Sequence, residues 1–217
     1  PGLEIVIPLK YLFFEIRPTH WVKNLVIFLP LIFTSKFSDF SNVDKSVLAF
    51  FLFSFMASAV YVFNDLIDYF CDQHHPLKRL RPLASGKIKR LEAQIVLGCL
   101  LLISLSFSIL FLNPSFFKIL CGYLTANIAY TLFLKRIVIV DLMTLAGFYV
   151  LRVLAGAAAL GVSVSHWVMI GTAFFALFLG CAKRRHELRV LKKVAQNHRS
   201  VLAYYNPSFM NQAIPVF

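Results

Sequence analysis

Charge is scarce in this chain, and negative charge is scarcest. Only 15% of its 217 residues are Asp, Glu, Lys or Arg, and 10 acids stand against 22 bases, a net charge of +12. With 59% hydrophobic residues and a mean hydropathy of +0.74, this excludes an ordinary soluble domain, in which about 25% of residues are charged. It also weighs against a nucleic-acid partner, because no stretch could fold as the soluble basic domain such binding needs. Cysteines are few: Cys71, Cys99, Cys121 and Cys181 lie mostly in or beside apolar runs. Their spacing suits neither a metal site nor a disulfide framework. The opening residues, PGLEIVIPLK, lack the charged-then-apolar order of a cleavable signal peptide, and the chain starts at Pro1 rather than Met, which leaves room for a native start upstream. No linker or soluble domain interrupts the sequence. No pair of Gly/Pro-broken helices in matching positions marks the internal repeats common in transporters.

What is present is a series of apolar runs, rich in Phe (23 residues). Residues 5–17 are amphipathic and suit the membrane surface. Spans are expected at 25–33, 46–63, 93–112, 116–134, 137–162 and 165–182, with Trp21 as an interfacial anchor. Residues 36–45 read as a polar loop, 70–90 as a basic loop and 113–115 as a tight turn, whereas 201–217 are too polar and Pro-broken for a clear span. The expectation is an all-α, multi-spanning helix bundle forming a single domain over 1–217. Lys and Arg crowd one side: Lys10, Arg17, Lys23, the 70–90 loop, Lys135, Arg136 and the 183–199 segment, against Lys36, Lys45 and Lys118 on the other. The positive-inside rule puts the crowded side in the cytoplasm of a cell-membrane protein.

The most informative stretch is 60–86, VYVFNDLIDYFCDQHHPLKRLRPLASG. At helical spacing Asp65, Asp68 and Asp72 share one face, with Asn64 beside it. Such an oxygen-rich cluster suits Mg²⁺, which in sites of this kind usually also holds substrate phosphates. Lys78, Arg79 and Arg81 follow and suit those phosphates directly. A helix end with solvated charges is the blander alternative, but acids at the ends of membrane spans are costly and tend to be functional.

Further candidates stand elsewhere. Arg17 and Lys23 flank the first run, as phosphate contacts or as snorkelling anchors. Tyr130, Lys135 and Asp141 border the fourth and fifth runs, as site groups or interfacial anchors, with Asp141 placed to hold a cation or a basic partner. Arg152 lies eleven residues, about three helical turns, beyond Asp141 and deep in an apolar run. A guanidinium there must face the bundle interior or a wet cavity, as an anion site or in a structural pair. The small residues 155–159 permit close helix packing. Lys183, Arg184, Arg185, His186 and Glu187 end the last run, with Lys183 and Glu187 on one face; a positive-inside cap explains the bases but not the acid. His74, His75, His186 and His198 have no zinc-like arrangement and read as loop residues.

Taken together, these residues resemble the UbiA-type intramembrane prenyltransferases, all-helical enzymes with an N-D-x-x-D-x-x-x-D motif, here Asn64-Asp65-Leu66-Ile67-Asp68-Tyr69-Phe70-Cys71-Asp72. Within that superfamily the chain looks most like the decaprenyl-phosphate phosphoribosyltransferase branch. Arg17-Pro18 with Trp21-Val22-Lys23-Asn24, His75-Pro76-Leu77-Lys78-Arg79 with Arg81-Pro82, the 130–135 stretch, Leu151-Arg152 with Gly156, and Lys183-Arg184 with Glu187-Leu188 carry the likeness, as do Arg199 and Tyr204-Tyr205. Most such enzymes have a second Asp-rich motif after the sixth helix; this chain has Lys183-Arg184-Arg185-His186-Glu187 there, which agrees with the phosphoribosyl branch. The family fold has nine helices, so a chain with six spans is expected to be incomplete at its C-terminus by about three.

The resemblance implies transfer of a 5-phosphoribosyl group from phosphoribosyl diphosphate to a polyprenyl phosphate lipid such as decaprenyl phosphate. Asn64, Asp65, Asp68 and Asp72 would hold Mg²⁺. Arg17, Lys23, Lys78, Arg81, Tyr130, Lys135, Arg152, Lys183, Arg184 and Glu187 would contact substrate, with Asp65, Asp68, Lys78 and Arg152 catalytic. The rival readings are prenyl transfer from an isoprenoid diphosphate to an aromatic or other small acceptor, and a transporter with a cationic vestibule.

Overall fold

The computed structural model describes residues 9–74, 76, 78–137 and 139–191, with side chains over 10–74, 76, 78–137 and 139–186. The expectations for His75, His198, Arg199, Tyr204, Tyr205 and residues 201–217, and for the side chain of Glu187, lie outside that set.

Among the described residues eight α-helices follow in order. They are α1 (Leu9–Ile16), α2 (Leu29–Phe33), α3 (Phe40–Ile67), α4 (Tyr69–Gln73), α5 (Arg90–Phe111), α6 (Pro114–Leu132), α7 (Val140–Leu160) and α8 (His166–Leu191). The described residues form no strand. Four helices, α3, α5, α7 and α8, are long and apolar enough to cross a bilayer, and the chain is an integral membrane protein. The expected fourth span is α6, a 19-residue helix opened by Pro114, where a missing N–H costs nothing. The expected first span forms differently: a 3₁₀ stretch, Pro18–Phe28, runs directly into the five-residue α2. The 36–45 segment is only partly a loop, because Asp39 caps α3 by accepting the Ser41 backbone N–H at 3.0 Å, so helix begins at Phe40.

The third helix is the centre of the bundle, packed by α1, the 3₁₀ stretch, α5, α6 and α7. Its 28 residues make a rod about 42 Å long, against a hydrocarbon core of about 30 Å. The helix is therefore longer than the core it would cross, and Asn64 and Asp65 lie in its C-terminal turn. Leu52, Phe53 and Met56 of α3 pack with Phe116, Leu120 and Tyr123 of α6 and Phe148 and Ala155 of α7. The outward faces of α5 and α8 display Leu102, Ile109, Leu110, Phe174 and Phe175, as a lipid-facing surface requires.

The 3₁₀ stretch is held by side chains as much as by packing. Trp21 Nε1 donates to Ser58 Oγ at 3.0 Å, and Asn24 Nδ2 donates to Ser54 Oγ at 2.9 Å. Ser58 Oγ in turn donates to the Ile16 carbonyl at 2.7 Å. Gly156 of α7 presses on the same stretch so closely that a Cβ there would lie 2.0 Å from the Ile27 carbonyl oxygen. Small residues in α7 thus permit the close approach that their composition suggests.

Candidate active site

The acidic motif lies where α3 ends. Ile67 is the last residue of α3, and Asp68, at φ −85° and ψ 4°, joins it to α4. This break changes which acids meet. Asp65 and Asp72, both buried, converge on one guanidinium: Arg81 Nη1 lies 2.9 Å from Asp65 Oδ1 and 2.5 Å from Asp72 Oδ2. Arg17 also donates to Asp65, and Lys78 Nζ stands 3.3 Å from Asp72 Oδ1. Asp68, 31% exposed, turns instead to Lys135, whose Nζ lies 3.3 Å from Oδ1. Asn64 Oδ1 accepts from Thr131 Oγ1 at 2.5 Å. The structure therefore joins Asp65 with Asp72 and sends Asp68 and Asn64 toward α6 and the 3₁₀ turn Leu134–Arg136, where a single helical face would have joined all three carboxylates.

Local geometry aims the bases. Arg17 has φ 52° and ψ 58°, a left-handed backbone that a non-glycine residue adopts at a cost of about 1–2 kcal/mol. It turns the chain between α1 and Pro18 while the Arg17 side chain reaches Asp65. Arg81 comes from the connection between α4 and α5, where a 3₁₀ turn, Lys78–Leu80, precedes it.

Arg152 is buried at 5% exposure with no carboxylate in ion-pair distance among the described residues. Its Nε donates to Asn24 Oδ1 at 2.7 Å, Nη1 to the Phe148 carbonyl at 2.7 Å and Nη2 to Tyr123 OH at 3.3 Å. The rings of Phe53, Tyr123 and Tyr149 surround it at 5.3–5.5 Å. The guanidinium is thus solvated by neutral groups inside the bundle. Lys23 is half-buried nearby: burial, then the fields of Arg152 and Arg17, push its pKa down.

Asp141 has the basic partner its sequence position suggested, and that partner is Arg184. Arg184 Nη2 lies 2.9 Å from Asp141 Oδ2, and the two side chains are 2% and 1% exposed. Arg184, expected at a phosphate, is committed to this interior pair between α7 and α8. Tyr130 packs its ring edge-on against Phe148, with centroids 5.8 Å apart, while Lys135 turns away to Asp68. Lys183 is exposed near the end of α8, and its charge reaches His20.

Two residues here escaped the reading of the sequence. Glu15 is 1% exposed, and neither of its carboxyl oxygens has a hydrogen-bond partner. Burial, with a smaller contribution from the Asp65 charge, pushes its pKa up to about 7. The available signal was a lone acid among Leu12, Phe13, Phe14 and Ile16. His20 stacks edge-on against Tyr61 at 5.0 Å, and its Nδ1 is unpartnered. Burial, then Lys23, Arg17 and Lys183, push its pKa down, which favours the neutral imidazole.

Among the described residues no three acids, histidines or cysteines converge as a metal cage. The donor chemistry still fits a hard divalent ion. Two carboxylates, Asp65 and Asp72, converge on one cationic nitrogen, Arg81 Nη1. Mg²⁺ is commonly held by one or two carboxylates, with water and substrate phosphates completing its shell.

Comparison with known proteins agrees with this architecture. Residues 25–202 match the UbiA prenyltransferase family. A decaprenyl-phosphate phosphoribosyltransferase of Mycobacterium tuberculosis is 33% identical over 90% of this chain and 66% of its own length. Its counterpart from Mycolicibacterium smegmatis is 30% identical over 90% of this chain and 62% of its own. The chain thus spans a little under two thirds of the length of these relatives. The solved UbiA homolog from Archaeoglobus fulgidus bound to DMAPP and Mg²⁺ superposes with a TM-score of 0.75 at 20% identity, covering 94% of this chain and 72% of that one. At that identity the likeness concerns the fold.

Proposed function

The chain belongs to the UbiA prenyltransferase family, and from that premise we propose that its protein transfers a 5-phosphoribosyl group from phosphoribosyl diphosphate to a polyprenyl phosphate, releasing diphosphate. The observation that carries this reading is the charge around the motif. Asp65 and Asp72 are met by Arg17, Lys78 and Arg81, with Lys135 on Asp68. Lys23 and Arg152 add charge that no described carboxylate answers. A donor bearing a diphosphate and a separate 5-phosphate needs this many cations, and a prenyl diphosphate needs fewer. The names of the relatives at 30–33% identity support the same choice.

Asp65 and Asp72 would hold Mg²⁺, with Asn64 and Asp68 at its margin. When bound, the ion would supply positive charge to the leaving diphosphate. Arg17, Arg81 and Lys78 bind and orient the diphosphate, and their charge favours its departure as the anomeric carbon becomes electron-poor. Lys183, at the rim, suits the 5-phosphate. Lys23 and Arg152 lie deeper and suit the acceptor phosphate, whose prenyl tail would leave between helices into lipid. That phosphate is already ionised, so no strong general base is required.

Full-length protein in membranes, given labelled phosphoribosyl diphosphate and a panel of polyprenyl phosphates, should form labelled lipid. A thermal-shift comparison discriminates the rival: stabilisation by a short prenyl diphosphate with Mg²⁺, and none by phosphoribosyl diphosphate, would overturn the proposal. The motif end of the bundle is assigned to the cytoplasmic face of the cell membrane. Exposed Cys71 should then resist an impermeant thiol reagent applied to intact cells, and its efficient labelling would reverse the orientation.

A further inference from the structure

Glu15 is a buried acid with no assigned work. It sits on α1, two residues before Arg17. The backbone N–H of Leu83, two residues after Arg81, faces it without closing a well-formed hydrogen bond. Burying a carboxyl group without partners costs several kcal/mol, and an orphan of this kind in a native structure calls for an explanation. Its surroundings supply one. The charges of Asp65, Arg17 and Arg81 all reach it, and both guanidiniums are now committed to Asp65, Arg81 to Asp72 as well.

A divalent ion on Asp65 and Asp72 cannot share its position with Arg81 Nη1, because like charges at that separation repel strongly. Arg17 loses much of its hold on Asp65 at the same time. Two guanidiniums then need new acceptors in an enclosed site. Phosphate oxygens of the ligand supply some. Among the described residues Glu15 is the buried carboxylate that has no partner to surrender. We infer that Glu15 is a positioning residue of the donor site, accepting the guanidinium of Arg17 or Arg81 that is released when a metal–diphosphate ligand takes Asp65 and Asp72. This rests on the metal–phosphate reading above and adds a residue to it. Anchored from behind by Glu15, the displaced guanidinium keeps its outer N–H groups for phosphate, which suits the forked donor geometry of arginine.

The test uses full-length protein in detergent, with Mg²⁺ and inorganic diphosphate as the probe. On the native protein, hydrogen exchange in α1 and at residues 81–83 should slow when the probe is added; unchanged exchange there overturns the inference without any variant. Glu15→Gln should melt no lower than the native protein yet bind the probe about tenfold more weakly. Its KM for phosphoribosyl diphosphate should rise more than its kcat falls, and Glu15→Asp should recover part of the loss. Native affinity and native KM in Glu15→Gln overturn the inference. Should Glu15→Gln fail to fold, the native exchange experiment and Glu15→Asp decide it. Asp65→Asn separates the two levels: if it loses the probe while Glu15→Gln does not, only the role of Glu15 fails. If Asp65→Asn keeps the probe, the metal–phosphate reading falls and the role of Glu15 falls with it.

Discussion

Gly156→Ala should do more damage than one methyl group suggests. The added Cβ would lie 2.0 Å from the Ile27 carbonyl oxygen, and ordinary contact begins near 3.4 Å, so α7 and the 3₁₀ stretch must part by about 1.4 Å. Both sides of the clash are backbone, and no side-chain rotation relieves it. Overpacking of this kind costs about 1–3 kcal/mol. The same separation pulls Arg152 from Asn24, now joined at 2.7 Å, and a hydrogen bond to a charged group is worth about 1.5–3 kcal/mol. The sum, about 2.5–6 kcal/mol, corresponds to a fall in melting temperature on the order of 10 °C for a chain of this size. Turnover should fall too, because Lys23 and Arg17 share the displaced segment. The control is Gly147→Ala, exposed and with nothing within 4 Å of its added Cβ, which should be neutral or slightly stabilising through helix propensity. Both variants are measured by thermal unfolding in detergent and by turnover in membranes. Indistinguishable melting temperatures for the two would refute the close approach of α7 to the 3₁₀ stretch.

Asp141→Asn breaks the buried ion pair with Arg184 and should cost about 3–5 kcal/mol, whereas replacing both residues with leucine should recover most of it; a double variant as unstable as the single one would argue against the pair. Glu15 sets a pH dependence: its folded pKa of about 7 stands above the reference 4.5, so its contribution is present below pH 4.5 and lost as pH rises through 7. The fall is on the order of 3 kcal/mol, and Glu15→Gln should flatten it; equal slopes in the two proteins would show that the Glu15 carboxyl is not held neutral by burial. Asp65→Ala and Asp68→Ala should each abolish turnover while the protein still inserts, and near-native rates in either would make that carboxylate structural.

The long helices were legible because runs of twenty apolar residues leave the backbone no partner but itself. The acidic motif stood out as well, since acids at the end of such a run are costly. How the acids pair was not. The break at Asp68 falls within IDYFCD, where no glycine or proline announces it, and it separates Asp68 from Asp65 and Asp72. Arg184 and Asp141 are 43 residues apart, and their pairing follows from how α7 packs on α8, which periodicity does not encode. Local pattern also failed at residues 18–28, which wind as 3₁₀ helix while Trp21 and Asn24 are tied sideways to serines of α3.

The bond from Asn24 to Arg152 spans 128 residues, and this has a consequence for biosynthesis. At about 5–20 residues per second, a ribosome that has just placed Asn24 needs roughly 6–26 seconds to reach Arg152. Ser54, 30 residues on, emerges far sooner, so the amide has a provisional partner while its oxygen waits. On that schedule the Ser54 partner of this segment is present well before the guanidinium that completes the network, which arrives only with α7.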